Sequence, residues 1–350
     1  MVLGGVGTIG RVVVRDLLES HPQNRILVAD YNAAAARAYA RSLRSRRVRG
    51  LFADARRLTV RGVDVVINCT QHDFNLRVMR AALRGGAHYV DLGGLFTWTR
   101  KQLKLHRQFQ RAGLTAVLGM GCAPGITNVM SRYAVERLGG RARSLKIRVG
   151  CRDLSRQPTG FFFPYSAQTI VEELTLPAYV FDRGRFRQVK PQTGWERVAF
   201  PAPVGRVWTL WTRHSEVATL PGTLGVRYCD FKVSLDRPFV REVMRRLRAG
   251  WTVRELARLT PPPRVPNDYE IARVEVDGAW RVECHARARR RWRAGAGDVD
   301  TGCPPSIVAQ MIASGQIAAR GVFPPEAVVP VAEFFRQLRK RGMKIVEGRP

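Results

Sequence analysis

The first 125 residues alternate between short, continuous apolar runs and stretches of helical period. Val2-Leu3 opens a strand that breaks at Gly4-Gly5, and a helix follows from Gly10 to Ser20 with Val12, Val13, Leu17 and Leu18 on one face. Arg25 to Ala29 reads as a second strand ending at Asp30, and alanine-rich Ala33 to Leu43 as a second helix. Val63 to Asn68 is nearly all apolar, as expected of a parallel strand buried on both faces. The pattern continues with a helix over Phe74 to Arg84 closed by Gly85-Gly86, a strand over His88 to Leu92, a helix over Leu95 to Ala112 and a strand over Thr115 to Gly119. This rhythm predicts an α/β fold, a Rossmann doubly wound parallel sheet. The opening strand falls short of the usual five or so residues, as expected if the chain's true start lies upstream or has been clipped.

After Gly125 the texture changes. Ala142 to Gly150, Val204 to Leu210 and Gly225 to Val233 read as strands with longer connections, Leu235 to Arg248 as a helix and Pro261-Pro262-Pro263 as a rigid loop. Arg273 to Arg291 predicts a β-hairpin turning at Asp277-Gly278. Pro304 to Gly315 reads as a helix, and the tail from Gly321 to Val346 ends in a strand-like stretch. The expected organisation is a Rossmann domain over residues 1–125, an α+β domain with a mixed sheet over 126–300, and a C-terminal segment over 301–350.

Composition narrows the classes. A 45% hydrophobic chain of 350 residues is globular and suits two domains. No apolar run is long enough for a membrane span, no signal peptide is evident, and a cytoplasmic setting is expected. Cys69, Cys122, Cys151, Cys229, Cys284 and Cys303 are widely spaced, which points to reduced thiols and no zinc site. The net charge of +31 raises nucleic-acid binding. However, the 59 basic residues include only seven lysines, and the arginines are spread over every segment, most densely at Arg287 to Arg293. This resembles a compositional bias more than a dedicated surface, so no specific nucleic-acid partner is expected.

Chemistry enters at Gly5-Val6-Gly7-Thr8-Ile9-Gly10, a GxGxxG between a strand and a helix, with Asp30 ending the next strand twenty residues after Gly10. Gly5 permits the tight turn, Gly7 lets the backbone approach a pyrophosphate, and Gly10 lets the helix pack on the strand. The helix N-terminus then offers N–H donors to phosphate. Asp30 would accept the adenosine ribose hydroxyls and repel a 2′-phosphate, favouring NAD over NADP, a preference that Arg37 and Arg41 would soften.

Val65-Val66-Ile67-Asn68-Cys69, His88 to Gly94 (HYVDLGG), Gly119 to Asn128 (GMGCAPGITN), His214 to Pro221 (HSEVATLP) and Arg320 to Glu326 (RGVFPPE) resemble the saccharopine dehydrogenase-like oxidoreductases over nearly the whole chain. Ala123-Pro124-Gly125 stands where saccharopine reductases usually carry Asp-Pro-Gly, and this form is similar to the L-lysine 6-dehydrogenases. The resemblance implies nicotinamide over the C-terminal strand ends, a closing second domain that carries a dimer contact, and a homodimer or dimer of dimers. It also implies Asp54 near the adenine and Asn68, Cys69 and Thr70 near the nicotinamide ribose. The activity implied is NAD-dependent oxidation of an amino-acid amine, foremost the 6-amino group of L-lysine. The alternatives are a saccharopine- or carboxyspermidine-type enzyme joining an amine and a carbonyl, and a Rossmann shell that binds nucleotide without catalysis.

Such chemistry needs a base for the ammonium, a carboxylate near the cation, and a cationic or N–H-rich pocket for the α-carboxylate. His214, between Arg213 and Glu216, is the first acid/base candidate, weighed against a surface or structural histidine. His72, after a strand end, is the second, weighed against a capping role. Asp91 either orients substrate or caps the Gly93-Gly94 turn, and His88 reads as structural. Gly93, Gly94 and the small-residue loop with Cys122 and Ala123 are expected to border the substrate, with no nucleophilic role for Cys122. Tyr165, Arg213 and Glu172 or Glu173 complete the substrate candidates, with Glu172 placed first and a solvated helix face as the plainer alternative.

Overall fold

The computed structural model describes residues 1–155, 163–259 and 265–349, and the expected Pro261–Pro263 loop lies outside them. The chain forms two compact units, Met1–Val129 with Val299–Arg341, and Met130–Asp298 with Gly342–Pro350. No helix among the described residues is long and apolar enough to cross a membrane.

The first unit is built on a seven-stranded sheet in the order Gly321–Phe323, Thr115–Val117, His88–Asp91, Val65–Asn68, Val2–Leu3, Ile26–Asp30, Val48–Phe52. Every neighbouring pair is parallel. The order reverses between Val2–Leu3 and Val65–Asn68, the switch point at which doubly wound sheets receive ligands. Leu3, Val66, Tyr89, Ala116 and Leu118 share one core with Val78, Met79 and Ala82 of the helix Asn75–Arg84.

Several elements differ from expectation. Strand Val48–Phe52 was not foreseen because Gly50 interrupts its apolar run. A Cβ at Gly50 would lie 2.3 Å from the carbonyl oxygen of Ala36, so close packing of helix Ala33–Ser42 excludes a side chain there. The single helix expected over Leu95 to Ala112 is two, Phe96–Leu103 and His106–Arg111. The helix expected from Pro304 begins earlier and runs Ala296–Ala313, with both prolines inside it.

The second unit has a nine-stranded sheet. Its main path is Glu196–Ala199, Arg206–Trp211, Tyr228–Ser234, Ser144–Asp153, Asp268–Val276, Trp280–Arg287, Lys344–Gly348, and the hairpin Ala178–Asp182 with Arg185–Val189 pairs onto Tyr228–Ser234. Among the described residues, only Ser144–Asp153 with Tyr228–Ser234 is parallel, so the sheet is mixed. The turn at Asp277-Gly278 has φ of +54° and +65°, in a three-residue connection between the paired Val276 and Trp280.

Candidate functional site

The glycine motif forms a tight cradle. Gly4 carries the turn with φ of +74°, a role the sequence had given to Gly5. Gly5 is restricted by packing instead, since a Cβ there would lie 2.8 Å from Val28 Cγ1. A Cβ at Gly10 would lie 2.2 Å from the Gly4 carbonyl oxygen, so this position admits no larger residue. Gly7 caps helix Thr8–Ser20, which has no side-chain cap and no acidic residue in its first turn. Its leading N–H groups, those of Thr8 and Ile9 among them, therefore meet no built-in anion, which fits a dinucleotide phosphate. Asp30 is held by two backbone N–H groups, Val6 to Oδ2 at 3.3 Å and Asn32 to Oδ1 at 3.0 Å. Asp54 accepts from Arg56 at 3.2 Å on the loop after Val48–Phe52, and that bond with the neighbouring backbone N–H holds its pKa down.

Past the switch point a buried polar network fixes the strand ends. Asp91 is fully buried and accepts four hydrogen bonds: Gly93 N at 2.9 Å and Gly119 N at 2.7 Å on Oδ1, Gln102 Nε2 at 2.6 Å and Tyr89 OH at 3.0 Å on Oδ2. Burial raises its pKa while the donated hydrogen bonds oppose the rise. Asn68 donates to Asn75 Oδ1 at 2.9 Å, and Asn75 donates to the Gly93 carbonyl at 3.2 Å. Thr70 donates its hydroxyl to Asn68 Oδ1 at 2.7 Å. Burial pushes the Cys69 thiol up to about 12, so it stays protonated at physiological pH.

The loop carrying Cys122 and Ala123 is equally constrained. Gly93 (φ +107°) and Gly119 (φ +68°) flank Pro124, whose Cγ would lie 2.7 Å and 2.9 Å from a Cβ at either one, and a Cβ at Gly94 would meet Asn75 Nδ2 at 3.0 Å. Asn128 accepts from Gly125 N at 3.0 Å and donates to Glu326 at 2.8 Å. His72 sits in a one-turn helix at the end of Val65–Asn68, its ring 6.3 Å from that of Trp98. His88 accepts from Thr115 N at 2.9 Å and is held in the fold.

In the second unit one histidine lies between two buried carboxylates. His214 Nε2 is 2.8 Å from Glu173 Oε1, and its Nδ1 is 3.3 Å from Glu216 Oε2. Its ring stacks on Phe231 at 3.7 Å and 15°. Burial works against the charged imidazole, but the Glu216 charge and hydrogen bonds to Glu173 and Glu216 outweigh it and raise the pKa to about 9. Tyr165 donates its hydroxyl to Glu173, and burial together with that carboxylate raises the phenol's pKa.

The sequence had placed Glu172 first. Helix Ala167–Thr175 buries Ile170, Glu173 and Leu174 instead, an i, i+3, i+4 stripe that sets Glu173 on the inner face. Glu172 accepts from Gln168 at 2.6 Å. Arg213 donates to the Pro177 carbonyl at 2.8 Å and lies over the Tyr179 ring. Glu173 and Glu216, the partners that give His214 its character, were not among the leading candidates. The helical period alone would have found the first of them.

Residues 1–117 match the family model described as saccharopine dehydrogenase NADP binding domain. A carboxyaminopropylagmatine dehydrogenase from Synechocystis is 24% identical over 217 residues, covering 57% of this chain and 53% of that protein. A carboxynorspermidine synthase from Vibrio alginolyticus is 21% identical over 223 residues, covering 59% and 50%. The chain spans about half the length of these curated relatives. Among solved structures, apo saccharopine dehydrogenase (L-Glu forming) from Saccharomyces cerevisiae has a TM-score of 0.70 at 15% identity, covering 99% of this chain and 98% of that one. Homospermidine synthase from Legionella pneumophila, solved with NAD, has a TM-score of 0.72 at 13% identity, covering 100% and 90%. Residues 1–117 thus match the saccharopine dehydrogenase NADP binding domain, and the chain shares the fold of the solved saccharopine dehydrogenase along its length.

Proposed function

We propose that the protein is a pyridine-nucleotide oxidoreductase of C–N bonds that reductively joins an amine to a carbonyl compound, with His214 as its acid/base group. The observation that carries this reading is the imidazole held between Glu173 and Glu216. When bound, the nicotinamide supplies or accepts a hydride at the carbon attached to nitrogen. Every other demand falls on protons and charge. Condensation of an amine with a carbonyl gives a carbinolamine, which must lose water to become an iminium ion, and an acid assists that loss. A histidine with a pKa of about 9 carries its proton at pH 7 and can serve as that acid. Glu173 and Glu216 compensate the cationic amine and the imidazolium in turn. In the reverse direction the amine must be neutral before hydride can leave, so His214 serves as base only as pH approaches 9.

The names of the relatives, a carboxyaminopropylagmatine dehydrogenase and a carboxynorspermidine synthase, favour carboxylated polyamines as the substrate class. Oxidation of the 6-amino group of L-lysine is a second reading, favoured by Ala123-Pro124-Gly125. We assign NAD as the preferred cofactor, because an acid such as Asp30 at the end of the strand after the glycine motif would repel a 2′-phosphate.

The test follows reduced-cofactor absorbance with the full chain at pH 7. Diamines and lysine are paired with amino-acid semialdehydes or 2-oxo acids, and the oxidative direction with lysine is run up to pH 10. Cofactor consumption that requires both an amine and a carbonyl supports joining. NADH formation with release of ammonia from lysine alone selects the second reading. Tight cofactor binding with no turnover in either direction would leave a nucleotide-binding protein without catalysis.

A further inference from the structure

In the first unit the segment Ala55–Gly62 faces helix Asn75–Arg84 across a groove formed by two adjoining hollows of about 480 and 240 Å³ that share Leu58 and Arg84. Six arginines line it: Arg56, Arg57 and Arg61 from the segment, and Arg77, Arg80 and Arg84 from the helix. Among the described residues, no acidic and no aromatic side chain lines either hollow.

The arrangement has a local cause. Leu58 and Val60 are buried in the core, which anchors the segment and turns Arg57 and Arg61 outward. A Cβ at Gly85 would lie 2.4 Å from the Val60 carbonyl oxygen, so the segment is clamped against the helix end. Residues 77, 80 and 84 follow i, i+3 and i+7 spacing and project from one helix face.

The chain is rich in arginine throughout, and some helical arginines have a carboxylate one turn away: Arg132 has Glu136, Arg245 and Arg246 have Glu242, and Arg336 has Glu333. In the groove Arg56 pairs with Asp54. Arg61, Arg77, Arg80 and Arg84 make no ion pair among the described residues. The helix C-terminus favours a cation at Arg84. It does nothing for Arg77, and like charges one turn apart destabilise a helix. An anion in the groove relieves that repulsion, and guanidinium forks converging from two walls match phosphate oxygens.

We infer that this groove is a second binding site, distinct from the glycine-motif cradle, for the phosphate chain of a compact polyphosphate. Among the described residues the lining itself offers no stacking platform for the bases of a single-stranded nucleic acid, and the nearby Tyr31 ring lies under Arg56 at 5.6 Å.

The experiment uses the full chain and inorganic tripolyphosphate, titrated calorimetrically at about 0.15 M salt with the dinucleotide site saturated by NADH. One site is expected, weakened at least tenfold in Arg80→Gln/Arg84→Gln and separately in Arg57→Gln/Arg61→Gln, with NADH affinity unchanged. These side chains are exposed, and circular dichroism checks that the variants fold. The inference is overturned if tripolyphosphate does not bind under saturating NADH, or if both double variants bind it as the parent does. It is also overturned if a DNA oligonucleotide binds through the same arginines and tripolyphosphate cannot displace it.

Discussion

Two buried acidic centres, one in each unit, show how burial alone misleads and partners decide. Asp91 in the first unit and Glu173 in the second are both about fully buried. Asp91 spends its oxygens on backbone N–H groups, an amide and a phenol, and none of these donors changes charge near neutral pH. It ties the Gly93 and Gly119 turns together. Glu173 instead meets an imidazole that a second carboxylate also touches, and that cluster can hold or release a proton. A carboxylate satisfied by the backbone is architecture, whereas one satisfied by another titratable group is a candidate for chemistry.

The sharpest way to break this contrast is to remove each centre. His214→Gln should lower kcat by on the order of 10²–10⁴, the usual worth of a positioned acid/base, and flatten the pH profile. Asp91→Ala should cost about 4 kcal/mol or more in urea denaturation, because several buried donors lose their acceptor together. If Asp91→Ala folded as well as the parent, or if His214→Gln left the pH profile unchanged, the division of roles would be wrong. Asp30→Ala should come next, weakening NAD by roughly 1.5–3 kcal/mol, the worth of hydrogen bonds to a charged acceptor, and narrowing the gap to NADP in fluorescence titration.

The smallest effects concern the His214 proton. Glu173→Gln removes one of the carboxylates that retain it, so the pKa falls from about 9 and the corresponding limb of the rate profile moves to lower pH. Linkage gives the matching effect on stability. The folded pKa is raised, so the contribution is complete below the unfolded value near 6.5 and is lost as pH rises through about 9. Denaturation at pH 7 and pH 10 should show a loss in the parent that His214→Gln lacks.

Legibility followed the same physics. The Rossmann half was readable because parallel strands buried on both faces show as apolar runs, and because the glycine motif and Asp30 are close in sequence. Strand Val48–Phe52 was hidden by Gly50, whose reason is a helix backbone packed against it. The second sheet was harder to read because its interior carries charge. Arg148 pairs with Asp230 at 2.8 Å and Arg273 with Glu283 at 2.8 Å, each across strands and each interrupting the apolar alternation. His214 was visible as a candidate, but Glu173 lies 41 residues away in sequence, and only the fold joins them.

The most direct test of the C–N chemistry is the fate of the hydride. The full chain would be incubated at pH 7 with an amine, a carbonyl partner and cofactor deuterated at its hydride-donating carbon, and the product examined by mass spectrometry. The expected product is a secondary amine one mass unit heavier, with deuterium on the carbon of the new C–N bond and the yield lowered in His214→Gln. Cofactor oxidation with deuterium on an alcohol carbon, or with no label in any amine, would contradict the assignment.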